Sequence, residues 1–571
     1  MLLLQLLLNL LILNSSKSRL QMDVNILKIF NHYDNFIFMI GRKSRLTKYL
    51  PPIWLRFVII ILLILGIFFR FAYLDRKVYS HDEAYTSLRI SGYTKTEFVQ
   101  QVFNGRVFAV GDIQKYQQPN SEKSLINTIN SLAVEDAQHP PLYYVMVRLW
   151  MQFFGNSVAT TRSLSAIISL LVFPCIYWLC LELFQSPITA WISISLLTVS
   201  PFHVLYAQEA REFGLWIVTT LLTSIALLRA IRLGSKKLWG IYAVTVALGL
   251  YTFLFSGLLA IAYGIYVFAI ERFRFTKSVK AYLIATSAGF LAFFPWILII
   301  INSLSEIDRT TASAQTRESV SFLVSGWIGN ISYLFGDFWR YEPFFPDLNL
   351  PILRWGRFLV PLILILVVYS FLFLYRQAGK RVWLFVFILS GVPALALILP
   401  DLIIGGKVSL RPRYIIPCYI SIQLAVAYLL ATQIISSKLI VRKFWQLLMV
   451  VVISSGVISC TVSSQAETWW NKGSHKNPEI ARIINKANNP LLISSNYSLN
   501  IGDLMSLIHL LDHNVQMQLV TEPSIPKIPD TFSNIFLYNP SRQFRAELEK
   551  KYKLVDVFQY SRLWRLEQKS R

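Results

Sequence analysis

Tyr79-Ser80-His81-Asp82-Glu83-Ala84-Tyr85 sets two adjacent carboxylates a few residues beyond an apolar run that ends near Leu74. In a chain that is 54% hydrophobic and only 15% charged, that pair is the first place to look for acid–base chemistry. Partial desolvation and a neighbouring carboxylate both raise a carboxyl pKa toward the range where it can take a proton from a hydroxyl. Either Asp82 or Glu83 is a candidate base, and Asp82 is the first place to look. The plainer alternative is a helix start, where acids cap free amides and oppose the dipole. Both can hold at once.

Three other clusters carry groups suited to a sugar or a phosphate. Gln138-His139-Pro140-Pro141-Leu142-Tyr143-Tyr144 has Glu135 and Asp136 close by. His139 can bond a sugar or phosphate, join acids around a metal, or simply lead into a helix whose entry the prolines fix. Ser200-Pro201-Phe202-His203-Val204-Leu205-Tyr206-Ala207-Gln208-Glu209-Ala210-Arg211 closes an apolar run with two charges. These are membrane-edge anchors or, for Arg211, a planar fork matched to phosphate oxygens. Leu410-Arg411-Pro412-Arg413-Tyr414 puts two arginines on a loop that falls outside by the pattern of basic loops, against the positive-inside trend. That makes Arg411 and Arg413 candidates for an anionic ligand. A further run, Phe335 to Phe345, sets aromatics beside acids, as either a sugar-stacking segment or an aromatic belt.

These clusters need a membrane to hold them. Eleven apolar runs approach the ~20 residues that cross ~30 Å of hydrocarbon: about 53–74, 160–183, 188–206, 212–231, 238–255, 257–271, 281–302, 357–375, 381–400, 413–435 and 443–461. With a mean hydropathy of +0.49 the chain reads as a polytopic α-helical membrane protein. Basic loops at 42–45, 232–237, 272–280, 376–381 and 438–443 fall on one, cytoplasmic side if 139–154 is an amphipathic helix lying in the interface and not a crossing. Most of the net charge of +24 sits in short loops, so nucleic acid is not an expected partner.

The expected organisation is a cytoplasmic segment 1–52, a transmembrane catalytic domain 53–461 with extracytoplasmic loops 75–158 and 303–355, and a small extracytoplasmic α/β domain 462–571. The apolar residues 1–13 are too short to span, and residues 1–21 read as a mis-assigned start with Met22 and Met39 downstream. Cys175, Cys180, Cys418 and Cys460 lie in or beside spans without paired spacing, as small core hydrophobes do. The spans carry almost no ionisable groups in their middles, which disfavours an ion-coupled transporter. No glycine-rich phosphate loop and no Asp-x-Asp pair is present for a nucleotide sugar.

In their order along the chain these motifs resemble the GT-C glycosyltransferases of the protein-mannosyltransferase and aminoarabinose-transferase (lipid A glycosyltransferase-like) superfamily. The likeness is carried by the acids after the first span, His139-Pro140-Pro141-Leu142-Tyr143-Tyr144 followed by Phe154-Gly155-Asn156 and Arg162, Tyr206 to Arg211, and Pro412-Arg413-Tyr414. It implies a GT-C fold in the plasma membrane and an inverting transfer from a polyprenyl-phosphate sugar to an envelope lipid, glycan or protein on the extracytoplasmic face. In that scheme Asp82 is the base, Arg211, Arg413 and Arg411 hold the donor phosphate, and His81, His139, Tyr143, Tyr206 and Glu209 contact substrate. No metal is assigned, although a divalent ion stays open. The alternatives are a lipid-linked sugar flippase and a non-catalytic glycolipid-binding relative.

Overall fold

The computed structural model describes residues 53–305, 316–338, 356–497, 500–558 and 562–568. All of them belong to the unit Pro52–Arg571. The expectations for residues 1–52, and those for most of loop 303–355 including Trp339 to Phe345, lie outside the described residues.

Helices occupy all eleven expected apolar runs. Seven among the described residues are long and apolar enough to cross a membrane, or eight if the bent pair Pro187–Thr198 and Pro201–Ala207 is one span. The expected eleven is therefore not reached on length and composition. Lys236–Thr252 has 17 residues and Ser256–Ile270 has 15, short of the ~20 a crossing needs.

The bent pair positions chemistry. Pro201 cannot donate into the helix before it, and the two helices diverge by 63°. Two of the carbonyls at the break are taken by Arg70, which bonds Thr198 O at 2.8 Å and Leu197 O at 3.1 Å. The break swings Pro201–Ala207 aside and delivers the turn Gln208 to Glu212 to the site.

Helix Leu142–Phe154 is amphipathic, with Tyr143, Tyr144, Val147 and Met151 buried and Leu149, Phe153 and Phe154 exposed. Arg148 belongs to the buried face. It bonds Ile90 O (2.6 Å), Thr128 Oγ1 (3.1 Å) and Lys123 O. It satisfies acceptors of the preceding loop and does not anchor to headgroups.

In the tail, helices alternate with strands that join a sheet together with one strand from the first loop. A six-stranded sheet runs in the order β1-β3-β2-β4-β6-β5, with β1 at Asn104–Ala109, β2 at Pro490–Ser495, β3 at Gln516–Val520, β4 at Asn534–Tyr538, β5 at Tyr552–Phe558 and β6 at Leu563–Gln568. β2 lies parallel to β3 and β4, and the other pairings are antiparallel. β1 comes from the loop after the first helix, so the expected boundary at residue 462 is crossed by a sheet edge. Leu492, Met517, Leu519, Phe536 and Leu563 form a core shared with Ala84, Leu88 and Phe98, so helix His81–Ser91 is seated on the tail.

Candidate active site

Helix His81–Ser91 begins with Ser80, whose N–H and Oγ both donate to Glu83 Oε2 at 3.0 Å. The helix-start reading of the acidic pair therefore holds for Glu83. The same carboxylate is fully buried and accepts from Arg162 Nε (2.7 Å) and Nη2 (2.8 Å), Lys472 Nζ (2.8 Å) and Ala210 N (3.0 Å). Burial alone would raise its pKa, but Arg162 and Lys472 outweigh it and hold Glu83 well below the ordinary carboxylate range. Arg162 also bonds the carbonyls of Leu74, Lys77 and Val78, which fixes the chain where it leaves the first helix.

Asp82, one residue earlier, points elsewhere. Its side chain keeps 39% exposure and receives Nη1 of Arg413 on Oδ2. Burial pushes this carboxyl up, yet Arg413, Arg211 and His81 together bring it far below its usual value. Arg211 reaches the same corner, bonding Asp82 O (3.3 Å), Thr86 Oγ1 (3.2 Å) and Glu212 Oε1 (3.0 Å). Its Nη2 also lies 3.5 Å from His139 Nδ1. The Arg413 guanidinium lies 5.5 Å from the ring centroids of both Phe213 and Tyr414, and Arg411 lies 5.9 Å from that of Tyr414. Among the described residues Arg411 has no carboxylate within ion-pair distance.

Glu209 completes the cluster from the turn after the broken helix. Lys472 Nζ is 3.4 Å from its Oε1, and Asn471 Nδ2 donates to the same oxygen at 2.6 Å. Burial raises its pKa; Lys472 works against that rise, and Glu83 and Asp82 add to it. His139 Nδ1 meets Glu212 Oε1 at 3.1 Å. Glu212 is buried, but Arg211 and His139 outweigh the burial and hold its pKa down to about 2.

Asp82, Arg211, Arg413, Glu209 and Glu83 are thus brought together, with His139 joined through Glu212 and Arg211. Tyr206 is buried against Phe202, Phe213 and Trp470. His81 turns toward the tail, where its Nδ1 lies 3.5 Å from Asp503 Oδ1. Tyr143 is sealed, its hydroxyl bonded to Ser165 Oγ at 2.6 Å. Sequence reasoning missed Glu212, Asn471 and Lys472. Glu212 had a signal in its adjacency to Arg211, whereas Lys472 lies in a polar stretch with no motif. Among the described residues no group of three His, Cys, Asp or Glu side chains is placed to hold a metal ion.

ArnT from Cupriavidus metallidurans, solved bound to undecaprenyl phosphate, is similar at 12% identity and a TM-score of 0.47, over 89% of this chain and 97% of that one. An oligosaccharyltransferase from Archaeoglobus fulgidus is similar at 12% identity and 0.46, over 83% and 65%. The arabinosyltransferase EmbB from Mycobacterium smegmatis is similar at 14% and 0.31, over 74% and 42%. No curated protein sequence matches. Residues 138–299, the stretch that carries His139, Arg162, Glu209, Arg211 and Glu212, match the family described as dolichyl-phosphate-mannose-protein mannosyltransferase, and the resemblance to that glycosyltransferase superfamily is met there.

Proposed function

We propose that this protein is a membrane glycosyltransferase of GT-C type. It moves a sugar, with inversion, from a polyprenyl-phosphate donor to an envelope lipid, glycan or protein on the extracytoplasmic face of the plasma membrane. The observation that carries this reading is a partly exposed carboxylate, Asp82, paired with the Arg413 guanidinium, while the Arg211 guanidinium donates to the backbone carbonyl of the same residue. The family match over 138–299, whose description names a lipid-phosphate sugar, supports the donor class.

The chemistry runs as a single displacement. Asp82 takes the proton of the acceptor hydroxyl as its oxygen forms a bond to the anomeric carbon. The bond from that carbon to the phosphate oxygen breaks, and its electron pair stays on the departing polyprenyl phosphate. Charge grows on that phosphate in the transition state, where preorganised guanidiniums act most strongly. Arg413 has a further part. In the resting site it quenches Asp82, so Asp82 is ionised but weakly basic. A donor phosphate competes for Arg413, and sharing that cation restores basicity to Asp82 when a donor is present. Arg411, which has no carboxylate partner among the described residues, supplies positive charge for the incoming phosphodiester.

The test is transfer from a panel of radiolabelled polyprenyl-phosphate sugars, using membranes that carry the wild type or Asp82→Asn. Label entering an envelope acceptor with the wild type alone is the expected result. Equal transfer by Asp82→Asn would remove the base role from Asp82 and pass it to Glu209. No transfer by either protein, with labelled lipid still bound, would replace the enzyme reading with binding or transport.

A further inference from the structure

Just past helix Leu439–Gln465 the segment Trp469 to Ser474 crosses the site as a strap. Trp469 and Trp470 both donate their indole N–H to Asp337 Oδ2, at 2.6 Å each. Asn471 bonds Glu209, and Lys472 bonds Glu83. Ser474 Oγ accepts from His81 N (3.0 Å) and donates to Asp503 Oδ1 (2.9 Å). Four elements far apart in sequence are tied by six residues of the tail.

Lys472 is the one strap residue that brings charge. Its ammonium is fully buried between two carboxylates of different origin, Glu83 on helix His81–Ser91 and Glu209 in the turn. The ion pairs of the cluster join the carboxylates Asp82, Glu83, Glu209 and Glu212 to the cations Arg162, Arg211, Arg413 and Lys472, and buried Lys77, bonded to Gln208, lies within electrostatic reach of Lys472 and Arg162. Glu83 has Arg162 on both oxygens and Glu212 has Arg211. Among the described residues the side chain of Glu209 has only Lys472 and Asn471 as polar partners.

We propose that Lys472 is a positioning residue of the transfer site: its ammonium bridges Glu83 and Glu209 and orients the Glu209 carboxylate, which makes the strap 469–474 part of the working site and not merely a brace. This rests on the glycosyltransferase reading of the site. The physical ground is that a buried carboxylate without a counter-charge takes up a proton. The groups facing Glu209 are Lys472 from the strap, Glu83 and Asp82 from helix His81–Ser91, Arg413 from the turn Pro412–Ile415, Arg162, and the phenol of Tyr206. Burial, Glu83 and Asp82 push Glu209 toward protonation, and Lys472 is the nearest group that opposes them.

Three variants test this: Lys472→Met, Lys472→Arg, and Lys472→Met combined with Glu209→Gln. Each is purified in detergent and melted across pH, and each is assayed for transfer. Lys472→Met should melt below the wild type at about pH 8, with a deficit that shrinks toward about pH 5 as Glu209 protonates. The double variant should recover more than half of the deficit, because both members of the pair are removed together. In the transfer assay the acid limb of the Lys472→Met profile should move up by about one pH unit, and Lys472→Arg should restore the wild-type profile. A deficit that is equal at both pH values and is not relieved by Glu209→Gln overturns the proposal. If Lys472→Met does not accumulate, accumulation of the double variant supports the proposal and its failure to accumulate overturns it. If the wild type transfers no sugar at all, the glycosyltransferase reading falls, while the melting series still decides whether Lys472 is the counter-charge of Glu209.

Discussion

Asp82 and Glu83 are neighbours with opposite fates, and that contrast gives the sharpest residue-level prediction. Asp82 keeps 39% exposure and has one ion-pair partner among the described residues, so Asp82→Asn should fold and lose transfer. Glu83 is sealed among six donated hydrogen bonds, so Glu83→Gln strands Arg162 and Lys472 in a buried site. Removing one partner of a buried pair costs about 3–5 kcal/mol, which a lowered melting temperature in detergent would reveal before any assay of transfer. Tyr143→Phe loses one hydroxyl bond to Ser165 in a sealed position. It should leave transfer within about twofold of wild type and cost about 1 kcal/mol of stability. Glu212 adds a pH signature. Its pKa in the fold is about 2, below the ~4.3 of a free glutamate, so its stabilisation is complete above about pH 4.3 and is lost as pH falls through about 2. The sequence exposed Asp82, Arg211 and Arg413 because each stands in a short motif at a membrane edge. It hid Lys472, because a lysine 389 positions from its partner Glu83 leaves no local pattern.

At the scale of elements, the break between Thr198 and Pro201 and the crossing helix Leu439–Gln465 act together. A Cβ at Gly456 would stand 2.4 Å from the carbonyl oxygen of Val199, a backbone atom that cannot swing away. Gly456→Ala must therefore push that helix off the break, at a cost of about 1–3 kcal/mol, and should weaken transfer by displacing the turn that holds Glu209 and Arg211. Asp337 links the segment after helix Val320–Ser332 to the strap. Burial raises its pKa to about 6 despite two indole donors, and its Oδ1 has no partner among the described residues. For an acid raised in the fold the sign is reversed from Glu212. The fold is most stable while Asp337 is protonated, and stability falls by roughly 3 kcal/mol as pH rises from about 4 through about 6. Asp337→Asn should flatten that part of the stability curve, as melting across this range would show. Helix positions were legible throughout, since apolar runs of the right length must become helices in hydrocarbon. The strand β1 was not, because Asn104–Ala109 is short, largely exposed and polar in pattern, and becomes a strand only by pairing with β3.

For the whole molecule, the sidedness of the site is open to direct test. All four cysteines are buried, so new surface thiols can be labelled against a quiet background. Ser121 lies in the loop that carries the site and Ser235 lies in a basic loop, and both are exposed. In intact cells an impermeant maleimide should label Ser121→Cys and spare Ser235→Cys; the reverse pattern would turn the site to the cytoplasm. The expected orientation rests on charge placement in the loops, whereas the number of crossings was not readable, because neighbouring helices of 17 and 15 residues blur where one crossing ends. The strap and the shared sheet also bear on when the protein can work. β1 waits for β3, whose residues lie about four hundred positions later, and Glu83 and Glu209 wait for Lys472. A nascent chain halted before residue 472 has every motif that marks the active site and lacks the counter-charge that completes it. Synthesis itself then serves as a timer: the site stays unfinished until the tail has been made and has folded back onto the first loop, and truncated copies left in the membrane would be silent.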